Sequence, residues 1–306
     1  MGTLKNYTFL PWLRQGIAAE IPVTDDLGSD GPGLAAERAE IPVSFKVNGQ
    51  LISKQVQLLG PGDVVGINPR AVVKTEPRNS VTDFEANYLP YIEFYEEDFP
   101  WRFTPAKAAN GLEQSRLRPW IFLIVLAEDE FDEKKISGPL GAFEIKEGLD
   151  PNELFPNKEQ SWAWAHVHIS QNVTGDKLQA TTEQDARNLE RNLANILGIN
   201  PDHASSRLLC PRKLQESTAY HAFVIPAFET GRLAGLGLEI PAGIDGQQAS
   251  WGADQRLYPV YYRWFFRTGT KGDFEFLVDL LEPRPVDQRV GVRAMDMQNP
   301  GYEVDG

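Results

Sequence analysis

The chain has 306 residues, 42% of them hydrophobic and 10% aromatic, which is enough apolar material for a full core and excludes disorder for most of its length. Thirty basic residues against 43 acidic ones leave a net charge of −13, which repels phosphate backbones and anionic lipid headgroups, and no run of Lys and Arg overrides it. Cys210 is the only cysteine, so no intramolecular disulfide can form, and a buried reduced thiol is the expectation.

The opening MGTLKNYTFLPWLRQGI lacks a charged leader followed by an apolar stretch. The longest apolar run, Trp120 to Ala127, is far short of the roughly 20 residues that span a bilayer. A soluble protein made in the cytoplasm is expected, without membrane insertion. Residues 1–40 read as an N-terminal arm with apolar side chains at Tyr7, Phe9, Leu10, Trp12 and Leu13, followed by a loop of low hydrophobicity from residue 24. Residues 41–281 read as the body, with a possible subdivision near 110–160. Within it, IPVSFKV and QLISKQVQLL alternate apolar and polar residues around Asn48-Gly49, a pair able to take positive φ at both positions; this predicts a hairpin. Gly60-Pro61-Gly62-Asp63 predicts a turn, with a short strand at RAVVK after it.

Residues 83–103 then concentrate Tyr88, Tyr91, Phe94, Tyr95, Phe99, Trp101 and Phe103 among Glu85, Glu93, Glu96, Glu97 and Asp98. Large aromatic area at low conformational cost, with carboxylates keeping it soluble, suits a docking surface with an acidic rim. Trp120 to Ala127 predicts a central strand buried on both faces. SWAWAHVHIS, residues 161–170, predicts a strand with Trp162, Trp164, His166 and His168 on one face. An amphipathic helix is expected at about 182–197, its apolar stripe running through Ala186, Leu189, Leu193, Ile196 and Leu197 to a stop at Gly198. Further strands are predicted at Ala219 to Pro226, Leu257 to Arg267 and Phe274 to Leu281, and a short helix at Phe228 to Leu236. Residues 282–306 carry only scattered apolar residues and read as an extended C-terminal arm or linker. The fold class is α+β, a β-rich body of short strands and turns with one clear amphipathic helix.

Catalytic patterns are sparse. His166 and His168, two apart on a strand, can both reach one ion, but no third ligand is patterned beside them, and a packed, hydrogen-bonded pair is the plainer reading. Gly60 to Gly66 fits neither a dinucleotide nor a P-loop spacing. Glu85, Glu93 or Glu96 could serve as acid and base in a glycan cleft lined by Tyr95 and Trp101, yet carboxylates crowded between Pro90 and Pro100 more often form a solvated or partner-facing rim. Ser205 and Ser206 read as loop residues, and Arg263 in YYRWFF as the partner of an acid on a core strand. No catalytic residue and no cofactor are implied.

Five segments, taken in order, carry a resemblance: YTFLPWLRQGIAAEI, GPGDVVGINPRAVVKTEPR, DFEANYLPYIEFYEEDFPWRFTPA, RLRPWIFLIVL and SWAWAHVHI. Together, over roughly residues 7 to 170, they resemble a family of structural proteins encoded in gene clusters for phage-tail-like contractile injection systems. The resemblance implies a non-enzymatic subunit of the baseplate or its surrounding shell, in a particle that can be released from the cell. Its partners would be copies of itself and other baseplate, sheath or shell proteins, with no nucleic acid. Contact residues expected on this basis are Tyr7, Phe9, Trp12, Tyr88, Tyr91, Tyr95, Phe99 and Trp101. Two other readings remain at this point: a metal- or carbohydrate-dependent enzyme or binding module on the Trp162 to His168 face, and a cap or adaptor subunit at the opposite end of the particle.

Overall fold

The structure is a computed structural model that describes residues 8–10, 27–28, 31–32, 40–104, 118–138, 140–170, 183–252, 254–270, 278 and 281. Two compact units divide the chain after Thr270, and the architecture below is that of the first. Its N-terminal part holds β1 (Thr8–Leu10), β2 (Leu27–Gly28), β3 (Gly31–Pro32), β4 (Glu40–Val47) and β5 (Gln50–Gln57). Next come β6 (Val72–Glu76), β7 (Val81–Phe84), β8 (Tyr91–Phe94), β9 (Ile121–Ala127), β10 (Phe131–Lys135) and β11 (Gly141–Ile145). The single-turn helix α1 (Pro151–Leu154) precedes β12 (Ala165–Ile169), and α2 (Glu183–Ile199) leads into β13 (Ala204–Leu209). β14 (Ala219–Pro226), α3 (Glu229–Leu236), β15 (Leu257–Val260) and β16 (Tyr262–Thr268) complete it. This is an α+β fold with a β-rich body.

The strands form a five-stranded sheet in the order β1-β12-β13-β8-β6, a four-stranded sheet β7-β16-β14-β9, a three-stranded sheet β10-β11-β15, and the ribbons β2-β3 and β4-β5. All pairs are antiparallel except β7 with β16. One core joins the three larger sheets, contributed by Ile92, Phe94, Val167 and Leu208 from the first, Leu123, Val125, Phe223 and Phe266 from the second, and Phe143 and Tyr258 from the third. Phe143 stacks on Phe223 with centroids 4.5 Å apart, and Phe131 meets Phe223 edge-on at 5.1 Å. Such ring pairs add about 0.5–1.5 kcal/mol each beyond the area they bury.

Every residue of β9 is buried, as its unbroken apolar run predicts, but its place in the sheet is an edge and not the centre. Arg212 covers that edge: its guanidinium donates to the Val125 carbonyl at 2.8 Å and holds both Glu130 oxygens at 2.6 Å. Glu130 in turn accepts from the Ala127 amide at 2.7 Å. Beside it Cys210 is buried, and loss of solvent pushes its thiol up to about 11, so it stays protonated at neutral pH.

The turn at Pro61–Asp63 is a packing device. Asp63 accepts from the Gly60 amide at 2.9 Å, and a Cβ on Gly62 would sit 2.8 Å from Ile240 Cδ1. Behind it α3 is held by Arg232, which grips Glu229 through two 2.6 Å hydrogen bonds and donates to the Leu257 carbonyl. α3 ends at Gly237 in the left-handed conformation, and α2 runs one residue past the predicted stop at Gly198. Leu193 of α2 is buried, with Ile196 and Leu197 packed against the core.

Several expectations are corrected. Residues 158–164 form a 3₁₀ turn, so the strand predicted from Ser161 begins only at Ala165. The 3₁₀ turn starts where Asn157 accepts from the Glu159 amide at 2.9 Å, a local cap that outweighs the alternating pattern. Ser205 and Ser206 lie in β13, not in a loop, and Leu257 to Arg267 is two strands in different sheets, broken at Tyr261. RAVVK becomes strand only from Val72, because Pro69–Ala71 is a 3₁₀ turn capped by Asn68. The strand predicted at Phe274 to Leu281 lies outside the described residues except for Val278, which is helical, and Leu281, whose amide donates to the Val278 carbonyl. The predicted 282–306 arm lies outside them entirely.

Candidate functional surfaces

The aromatic acidic segment divides between the core and the surface. Trp101 is fully buried and Phe99 nearly so, which removes both from the predicted contact set. The reason is a short 3₁₀ turn at Phe99–Trp101 that rolls the rings inward against the residue preceding β9. Phe99 stacks on Phe94 at 4.5 Å, Phe103 meets Trp120 edge-on at 4.9 Å, and the Trp120 indole donates to the Phe99 carbonyl at 2.7 Å. Glu96 and Asp98 are also engaged within the chain. Arg102 donates to Asp98 at 2.6 Å and lies 2.7 Å from Glu96, while burial raises the Glu97 carboxyl above its ordinary value. What faces outward is Tyr88 with Leu89 at one end of β8 and Tyr95 at the other; both tyrosines are more than half exposed.

Tyr91 belongs to a different surface, the outer face of the five-stranded sheet. Antiparallel register places Glu93 opposite Arg207, Arg207 opposite His166, and Ser205 opposite His168. Glu93 is not a solvated rim acid. It accepts from Arg207 Nε at 2.8 Å and Ser205 Oγ at 3.0 Å, with Lys74 Nζ at 3.9 Å. The Arg207 guanidinium lies 4.8 Å above the Tyr91 ring and the Lys74 ammonium 5.4 Å from it. Burial lowers His166 and His168 below the ordinary histidine value, and the Arg207 charge lowers both further. Trp162 and Trp164 stand on the 3₁₀ turn, so the four-residue Trp/His face expected of a single strand does not exist. Among the described residues no three His, Cys, Asp or Glu side chains converge as a metal site.

The predicted arm is partly tied down, since Thr8, Phe9 and Leu10 pair with Ile169, His168 and Val167 of β12, making β1 the edge of the five-stranded sheet. Tyr7 and Trp12 lie outside the described residues.

The ribbon β4-β5 is the surface that sequence reading assigned to the body and the structure leaves in solvent. Asn48 and Gly49 take φ of 49° and 82°, the two positive values of a type I′ turn, so the register is fixed as expected. Pairing places Val43 opposite Lys54 and Phe45 opposite Ile52, on one face with Val47 and Val56. On the other face Ser44 donates to Ser53 at 3.0 Å. Residues 42–56 are all exposed, with Phe45 at 49%, Val47 at 46% and Ile52 at 43%. The alternation is legible in the sequence; that its apolar residues stay exposed is not, because nothing local encodes it.

No helix among the described residues is long and apolar enough to cross a membrane. Comparison with protein-family models, with curated proteins and with solved structures gives no match to the chain.

Proposed function

We propose that this chain is a non-enzymatic structural subunit of a contractile phage-tail-like particle, in the baseplate or its surrounding shell, working by assembly with copies of itself and with other particle proteins. The single observation that carries the assembly part of this reading is the β4-β5 ribbon, whose residues 42–56 are all exposed, the apolar Val43, Phe45, Val47, Ile52 and Val56 among them. An isolated two-stranded ribbon is at best marginally stable in water, and an exposed face of this kind is useful only when something covers it. Tyr88, Leu89 and Tyr95 supply further outward apolar area on the segment that also carries the family resemblance. The particle class rests on that resemblance.

The test is recovery of the tagged full chain from the cells that make it. Sheath and tube proteins in the same high-mass fraction, and contractile particles lacking one layer when the gene is deleted, are the expected results. A chain recovered alone, with normal particles in the deletion strain, overturns the proposal.

A further inference from the structure

The ribbon carries a charge that narrows what can cover it. Its ionisable residues are Glu40, Lys46 and Lys54, a net of +1 in a chain of −13. Lys54 stands on the apolar face itself, opposite Val43 and one pair away from Phe45 and Ile52. Two ribbons packed face to face would each bring that ammonium toward the other's apolar face with no carboxylate to meet it, since residues 42–56 contain no acid. The complementary surface is therefore apolar with an unneutralised acid beside it.

This chain has such a surface. The connection between β7 and β8 exposes Tyr88 at 57% and Leu89 at 40% and holds Glu85, while Asp83, also exposed, stands beside its start on β7. No Lys, Arg or His among the described residues lies within ion-pair distance of either acid. The other outward tyrosine, Tyr95, differs: its neighbour Glu96 is already met by Arg102. Resting on the assembly reading above, we propose that the apolar face of the ribbon docks on the β7-β8 loop of a second copy of this chain, with Lys54 facing Asp83 and Glu85. The contact joins two different surfaces, so it is head-to-tail, and repetition builds a ring or a helix instead of stopping at a dimer. Apolar area supplies the affinity; the charges select the register and the partner.

Three forms of the full chain test this in sedimentation velocity over a concentration series: wild type, a ribbon variant (F45S with I52S) and a loop variant (Y88S with L89S). Wild type is expected to associate beyond the dimer, and less so in high salt. Each variant alone is expected to sediment as a monomer, with a thermal melt close to wild type showing that it is folded. Mixed one to one, the variants retain one intact ribbon and one intact loop between them, so they form a heterodimer that goes no further. A wild type that is monomeric throughout, a wild type that stops at a dimer, or a mixture that stays monomeric overturns the proposal. Its failure is separable from that of the particle reading. Self-association without sheath or tube proteins in cells sinks the particle and keeps this contact; particle incorporation of a chain that is monomeric in solution does the reverse.

Discussion

Strands β9 and β14 and the ribbon β4-β5 are both antiparallel pairs rich in β-branched and aromatic residues, and they end in opposite environments. In β9 every position is apolar and every position is buried; in β4 and β5 apolar residues alternate with Ser, Lys and Gln, and all of residues 42–56 are exposed. An unbroken apolar run is a demand for cover on both faces, which the sheets around Phe223 and Phe143 supply. An alternating run asks for one covered face only. Across residues 42–56 that face stays exposed, so burial energy is concentrated in the first pair and exposed apolar surface in the second.

The sharpest test of this contrast is a matched truncation. Phe223→Ala removes a ring that is 1% exposed and packed against Phe143 and Phe131, and should cost about 3–5 kcal/mol in urea denaturation followed by circular dichroism. A loss under about 1 kcal/mol would mean that β14 is not where stability resides.

Next in size is the ion pair on the five-stranded sheet. Glu93→Ala leaves the Arg207 guanidinium without its carboxylate at a site where Arg207 retains 22% of its side-chain exposure, so a loss of about 2–3 kcal/mol is expected, below the fully buried case. E93L with R207M should recover most of it. If the double variant is no better than E93A, the cost comes from packing or from Ser205 rather than from the stranded charge.

Gly235→Ala probes the seam between α3 and β15. A Cβ there would lie 2.7 Å from Pro259 Cγ and 3.3 Å from Tyr261, an overpacking cost of about 1–3 kcal/mol. Alanine's helix preference returns about 1 kcal/mol of this, leaving a net loss of about 0–2 kcal/mol in the same denaturation assay. A stabilised variant would show that Pro259 yields.

A smaller effect follows from the histidines. His166 and His168 titrate below the ordinary 6.5 because of burial and the nearby Arg207, with Lys74 lowering His168 further and Glu93 opposing it. As pH falls through 6.5 the unfolded chain takes up protons that the folded one resists. Stability present at pH 7.5 is therefore lost progressively toward the lower folded values. Glu97, raised by burial, works in the opposite sense in the window above 4.5. The fall in urea midpoint between pH 7.5 and 5.5 should shrink in H166Q with H168Q; an unchanged fall assigns it to other groups.

How much of this was legible in the sequence depended on the range of the interaction responsible. The ribbon's turn and register follow from Asn48-Gly49 and its flanking alternation, and the helices at 183–199 and 229–236 from their own periodicity. The Glu93 and Arg207 contact spans 114 residues and depends on β8 lying beside β13, which no local pattern encodes. Trp101 looked like an exposed anchor because its neighbours are acidic. The 3₁₀ turn that buries it is set by Phe94 and Trp120, the latter 19 positions away, and only Pro100 hinted at the turn. The Asn157 cap, by contrast, is a local signal that competes with the Trp/His alternation and wins.

The smallest expected effect completes the matched truncation. Phe45→Ala deletes the same atoms as Phe223→Ala, from a ring that is already 49% exposed and whose cross-strand neighbour is Ile52. The cross-strand pair contributes roughly 0.2–1 kcal/mol. Much of that is lost only within the ribbon, so global stability should change by no more than about 0.5 kcal/mol. The same substitution should weaken association of the chain measurably, because the ring's exposed half is the part available to a partner. If instead Phe45→Ala lowers the global urea midpoint nearly as much as Phe223→Ala, the ribbon is packed on the body in solution and the contrast between the two strand pairs disappears. Equal stability together with unchanged association would leave the contrast standing and remove the ribbon from the interface.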